Sequence, residues 1–109
     1  MTLKQKLILF FIYMDFAKSE YSLIKHFDRA DFPVNLDENL KPLLENEHII
    51  VSSILDNGTP FEYSITEKGK NYINVNFNDQ EIIEHIKRMD NPEFILKITK
   101  TLIDKKNGL

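Results

Sequence analysis

The chain opens with eight consecutive apolar residues, Leu7 to Met14, which predict a first helix over 2–16 with no polar face. A helix apolar on nearly all sides lies inside something. Thr2, with Gln5 three residues on, is a capping box that starts it. Ser19 is a candidate N-cap for a second helix over about 20–29, whose Leu23, Ile24 and Phe27 share one face. Residues 30–34 connect, with Pro33 expected to hold Phe32 out of helical geometry. Leu36, Leu40, Leu43 and Leu44 recur at helical spacing and predict a third helix over about 36–46. Asn35 is its expected cap, with Glu38 as reciprocal partner. Pro42 falls inside this helix, where it removes a hydrogen bond and predicts a kink or a late start.

The period then changes. His48 to Leu55 is rich in β-branched residues, and Phe61 to Ile65 alternates, with Phe61, Tyr63 and Ile65 expected on one inward face. Asp56-Asn57-Gly58 between them is turn chemistry, so the two runs predict a hairpin. Thr66 is expected to cap a further helix that carries Tyr72 and Ile73. Gly69 lies within it, at a cost of ~1 kcal/mol against Ala, for which a close backbone approach is the expected reason. Asn74 to Asn78 reads as a polar break with Val75 and Phe77 tucked in. A helix over 79–89 follows, then one from Pro92, a residue suited to a first helical position, to about Lys105.

The 109 residues, 12.9 kDa, hold one domain with a helical extension. Three Gly and four Pro exclude a low-complexity chain. Absence of Cys excludes disulfides, thiolate zinc sites and thiol catalysis, and fits a cytoplasmic location. Lys4 and Lys6 before the apolar run, with Ala17-Lys18-Ser19 after it, outline a short secretory signal. A buried first helix is the better reading, because Asp15 interrupts the approach to that site and the capping box starts a retained helix. Eight apolar residues fall short of the ~20 that span a bilayer, so no membrane association is expected.

The order helix, helix, helix, strand, turn, strand, helix predicts an α+β winged helix: a three-helix core, a two-stranded wing hairpin and a C-terminal helical extension. Leu40, Leu43 and Leu44 running into Glu45-Asn46-Glu47-His48-Ile49-Ile50 resemble the end of a third helix entering a wing strand. Phe61 to Lys70 resemble the second wing strand turning into the next helix. The pattern resembles bacterial winged-helix regulators of the PadR and MarR kind, and Tyr21-Ser22-Leu23-Ile24 is similar to the second helix of PadR-type proteins. The resemblance covers residues 3 to 73 and divides the chain into a winged-helix domain, 1–73, and an extension, 74–109. A short extra strand near residues 18–20, pairing with the wing, is compatible with it.

What the resemblance implies is a DNA-binding transcriptional regulator, with the third helix in the major groove of double-stranded DNA and the wing on phosphate. Asn35, Asn39 and Lys41 are the groups suited to base edges, and Asp56, Asn57 and Gly58 form the wing tip. Charge points elsewhere. Phosphate contact needs Lys or Arg, yet residues 35–48 set Asp37, Glu38, Glu45 and Glu47 against Lys41 alone, a balance of -3. Residues 51–64 add Asp56 and Glu62 with no base. The chain as a whole carries -3, which disfavours a generally basic nucleic-acid binder. Acidic residues in a helix's first turn also complement its dipole, and Lys25, His26, Arg29, Lys68 and Lys70 are a candidate phosphate-binding rim. The alternative is a winged-helix interaction module that binds a basic protein partner rather than DNA.

No enzyme is expected. The chain has no glycine-rich phosphate loop, no paired-carboxylate signature and no Ser-His-Asp order with supporting sequence. Glu81, Glu84, His85 and Arg88 share a helical face, and Glu81 with His85 has metal-ligand spacing, but such pairs are common on solvated faces; His26 and His48 add no pattern. Neither cofactor nor metal is expected. A homodimer is, because Leu7–Met14 and the late helices are more apolar than one small domain readily hides. Phe94, Ile95, Ile98 and Leu102 are the expected interface.

Overall fold

In the computed structural model, which describes residues 1–31 and 33–109, helix α1 (Leu3–Tyr13) is the axis on which the other elements pack. Leu7 to Ile12 are all buried, wrapped by α3 (Leu36–Glu45), α4 (Glu67–Asn76), α5 (Asp79–Lys87) and strand β2 (Pro60–Ile65). Such encirclement is what a helix without a polar face requires. Thr2 Oγ1 accepts the Gln5 N–H at 3.1 Å and Gln5 Oε1 accepts the Thr2 N–H, closing the capping box. No helix is long and apolar enough to cross a membrane among the described residues.

Helix α2 (Glu20–Phe27) starts where Ser19 Oγ accepts the Ser22 N–H at 3.0 Å. It buries Leu23 and Phe27. The expected effect of Pro33 falls on Phe32, which lies outside the described residues.

Helix α3 departs from expectation at its start. Asn35 makes no side-chain cap, because its ψ of 74° does not aim the side chain at the first N–H groups as an extended residue would. Its carbonyl instead accepts the Asn39 side-chain amide at 2.7 Å. Pro42 stays inside one helix. The Glu38 carbonyl that loses its donor belongs to an exposed residue, so solvent is at hand to serve it.

Strand β1 (Ile49–Ile54) pairs antiparallel with β2, and the turn closes through Leu55 N–H to Thr59 O at 2.8 Å, with Gly58 at φ 83°. The register slips twice, and Phe61 falls between the pairs Ser53–Glu62 and Ile54–Pro60. A bulge of this kind breaks the alternation of faces. Phe61 is therefore 37% exposed, contrary to the inward face expected, while Tyr63 is buried and Ile65 half-buried. Ser19 bridges Glu62, and the Tyr63 N–H donates to Lys18 O at 2.8 Å, so the segment before α2 is a rudimentary third strand.

Thr66 Oγ1 accepts the Gly69 N–H at 3.0 Å and starts α4. That helix runs through Asn76, so the break expected over 74–78 narrows to Phe77 and Asn78, and Val75 is 80% exposed rather than tucked in. Ile73 and Phe77, four residues apart, face the core, and Val75 between them points away. Phe77 stacks on Phe10 with centroids 4.3 Å apart. Asn78 caps α5, Pro92 opens α6 (Pro92–Lys106), and α6 packs on α5, which in turn lies on α1, with Ile82, Ile86 and Ile95 fully buried. The result is an α+β domain with a winged-helix-like arrangement: three helices, a hairpin, then C-terminal helices.

Candidate interaction surface

Helix α3 and the hairpin flank a groove of about 590 Å³. Its floor is apolar: Leu40 and Leu44 from the α3 stripe, Pro60 and Tyr63 from β2. Its rim holds three carboxylates, Glu20 at the start of α2 and Asp37 and Glu45 on α3, against the single cation Lys41. Glu20 and Asp37 also line a second cleft of about 410 Å³, extending the groove past Ile24, Asn35 and Glu38. The Tyr63 hydroxyl donates to Glu20 Oε1 at 2.8 Å. Burial, then that bond and the charges of Glu20 and Asp37, push the Tyr63 hydroxyl well above its ordinary pKa. Tyr63 is thus a permanent donor that fixes Glu20 at the rim.

The α3 residues singled out from sequence lie on this surface, with their polar groups partly used locally. Asn35 and Asn39 bond to each other as described above. Lys41 reaches Glu45 at 3.9 Å across an exposed turn, a pair worth little in water. Asp37 and Glu38 are exposed. At the wing tip Asp56, Asn57 and Gly58 are exposed, and Asn57 Oδ1 accepts the Thr59 N–H at 3.0 Å. The hairpin is also unusually apolar outside: Ile50, Val51, Ile54, Leu55 and Phe61 are exposed.

The candidate rim cations do not gather on this surface. Lys68 Nζ donates to Asn46 O at 2.7 Å, and Lys70 Nζ lies 3.4 Å from Glu67. The Arg29 guanidinium lies over Phe94, 4.5 Å from the ring centroid, and His26 stacks on the same ring. Lys25 is exposed on α2 and has no ion pair among the described residues. From Asp31 to Glu67 the chain carries eight carboxylates against Lys41 alone, a balance of -7, leaving +4 for the remainder.

Of the four residues expected at a dimer interface, Ile95 and Leu102 are buried in the chain's own core. Phe94 is 40% exposed and Ile98 is half-buried. Much of the apolar surface that motivated a dimer, including all of Leu7 to Ile12, is covered within one chain.

Sequence reasoning missed Glu20 as a rim residue and read Tyr63 only as core. Their contact spans 43 positions and depends on the bridge between Ser19 and Glu62, which no local pattern carries. Compared with known families, curated proteins and solved structures, the chain matches none.

Proposed function

We propose that this chain is a winged-helix interaction module whose α3–wing face receives a basic, amphipathic segment of a protein partner. One observation carries the reading: an apolar-floored groove rimmed by Glu20, Asp37 and Glu45, within a stretch whose only cation is paired to Glu45. Such a rim repels phosphate and attracts Lys and Arg, while the floor accepts apolar anchors. Fluorescence anisotropy with a labelled amphipathic Leu/Lys peptide, and its Leu/Glu counterpart, tests this. Only the Leu/Lys peptide is expected to bind, and Asp37→Lys with Glu45→Lys to weaken it at least tenfold. Equal binding of both peptides, or of neither, would sink the proposal.

The second reading is a DNA-binding transcriptional regulator of the PadR or MarR kind. The arrangement of three helices and a hairpin favours it, as does Lys25, exposed and without an ion pair among the described residues. A selection of bound duplexes at low salt from the purified protein decides between them. A palindromic enrichment lost on Asn39→Ala or Lys41→Ala supports the regulator. Its affinity should then fall with salt with a log-log slope of about -0.9 per phosphate neutralised. No enrichment removes it.

A further inference from the structure

The α3–wing groove has a counterpart on the same chain. Phe94, Lys97, Ile98 and Lys105 recur at helical spacing along one stripe of α6. Phe94, Lys97 and Lys105 are exposed and Ile98 is half-buried, whereas Ile95, Leu102 and Ile103 on the other side of the helix are buried in the core. Neither of these two lysines has a carboxylate within ion-pair distance among the described residues, and nor has Arg29, which lies over the Phe94 ring. The helix as a whole sets four lysines against Glu93 and Asp104, a balance of +2. Its outward stripe is therefore apolar and basic, with its cations free.

The groove offers the opposite character. Its floor of Leu40, Leu44 and Pro60 is apolar, and Glu20, Asp37 and Glu45 outnumber Lys41, which itself lies 3.9 Å from Glu45. Helix α2 borders both faces. Glu20 and Ile24 line the groove and its extension, and His26, near the end of α2, stacks on Phe94. Two unlike patches on either side of one helix are satisfied together when two copies meet about a two-fold axis, each patch on the other patch of its partner.

We propose that the groove receives the Phe94–Lys105 stripe of a second copy of this chain, reciprocally, in a two-fold dimer. The proposal rests on the groove being a receiver of basic, amphipathic segments, and makes α6 of the second copy that segment. Phe94 and Ile98 cover the apolar floor while Lys97 and Lys105 face Asp37 and Glu45. Charge selects this pairing. Groove on groove sets carboxylates against carboxylates, and stripe on stripe sets lysines against lysines, so the two like pairings are disfavoured.

Sedimentation of two charge-reversed variants, alone and mixed, is the test. Asp37→Lys with Glu45→Lys reverses the groove, and Lys97→Glu with Lys105→Glu reverses the stripe. All four residues are exposed, and circular dichroism checks that each variant is folded. At a micromolar concentration where the unaltered chain sediments at twice 12.9 kDa, each variant alone should sediment at 12.9 kDa. Their equimolar mixture should return to twice 12.9 kDa, because the reversed groove meets the reversed stripe and the two unaltered faces meet as before. The stripe variant, its groove vacated, should also bind the Leu/Lys peptide more tightly than the unaltered chain does. An unaltered chain at 12.9 kDa, either variant still dimeric alone, a mixture that stays at 12.9 kDa, or species larger than a dimer would overturn the proposal. If the stripe variant binds the Leu/Lys peptide alongside any of those results, the groove reading stands and the dimer falls; if it does not bind that peptide, both fall.

Discussion

Gly69 lies against the backbone of His48: a Cβ placed on Gly69 would stand 2.2 Å from the His48 carbonyl oxygen and 2.7 Å from Ile65 Cγ1. That carbonyl also accepts the Thr66 N–H at 3.1 Å, and Thr66 Oγ1 lies 3.0 Å from it as well. The residue leading into β1, the end of β2 and the start of α4 are thus drawn together at one point that has no room for a side chain.

Gly69→Ala is accordingly expected to destabilise, although Ala is the better helix former by about 1 kcal/mol. Overpacking against backbone typically costs about 1–3 kcal/mol, and the neighbour here cannot rotate away. A net loss of roughly 2 kcal/mol by urea denaturation is the expected result. An unchanged or raised midpoint would mean that the contact is looser than described.

Stability should fall on mild acidification. His48 is held below its ordinary pKa by burial first and by Lys68 second, and its Nδ1 is buried without a hydrogen-bond partner among the described residues. His85 is lowered as well. The folded state binds protons less readily than the unfolded chain, so these groups' contribution is complete above pH ~6.5 and is lost as pH falls through their folded values. Melting temperature should drop between pH 7.5 and 5.5. His48→Gln should flatten that dependence, and a slope identical to that of the unaltered chain would refute the assignment.

Thr99, on α6, is fully buried, and its hydroxyl has no partner among the described residues. Replacing an unsatisfied buried polar group by an apolar one of the same shape removes a desolvation penalty of about 1–3 kcal/mol. Thr99→Val should therefore stabilise by roughly 1 kcal/mol in thermal or chemical unfolding. Destabilisation would show that the hydroxyl has a partner in solution.

Self-association, proposed from the sequence, now has fewer residues to work with. Phe94 is exposed and Ile98 half-buried, four residues apart on one side of α6, with Arg29 against the Phe94 ring. Sedimentation at micromolar concentration should give a species of twice 12.9 kDa that Phe94→Glu returns to 12.9 kDa. A 12.9 kDa species from the unaltered chain would end the dimer proposal.

Element type was legible because it is set locally. The caps at Thr2, Ser19 and Thr66, the leucine stripe of α3, the Asp56-Asn57-Gly58 turn and Pro92 at the start of α6 each act within a few residues. The acidity of α3 and the wing is likewise a property of composition. Exposure was not legible where it depended on register or on neighbours distant in the chain. Phe61 turned outward because a bulge shifted the pairing, and Val75 because α4 ran one turn further than its polar residues suggested. Asn35 failed as a cap because its ψ of 74° departs from the extended geometry of the working caps. The groove and the cavity beside Lys4 and His85 lie furthest from sequence reach. Glu20 meets Tyr63, and Lys4 meets Asp31 and His85, only after α1 is enclosed, since burial and long-range charge exist only once separate elements share a volume.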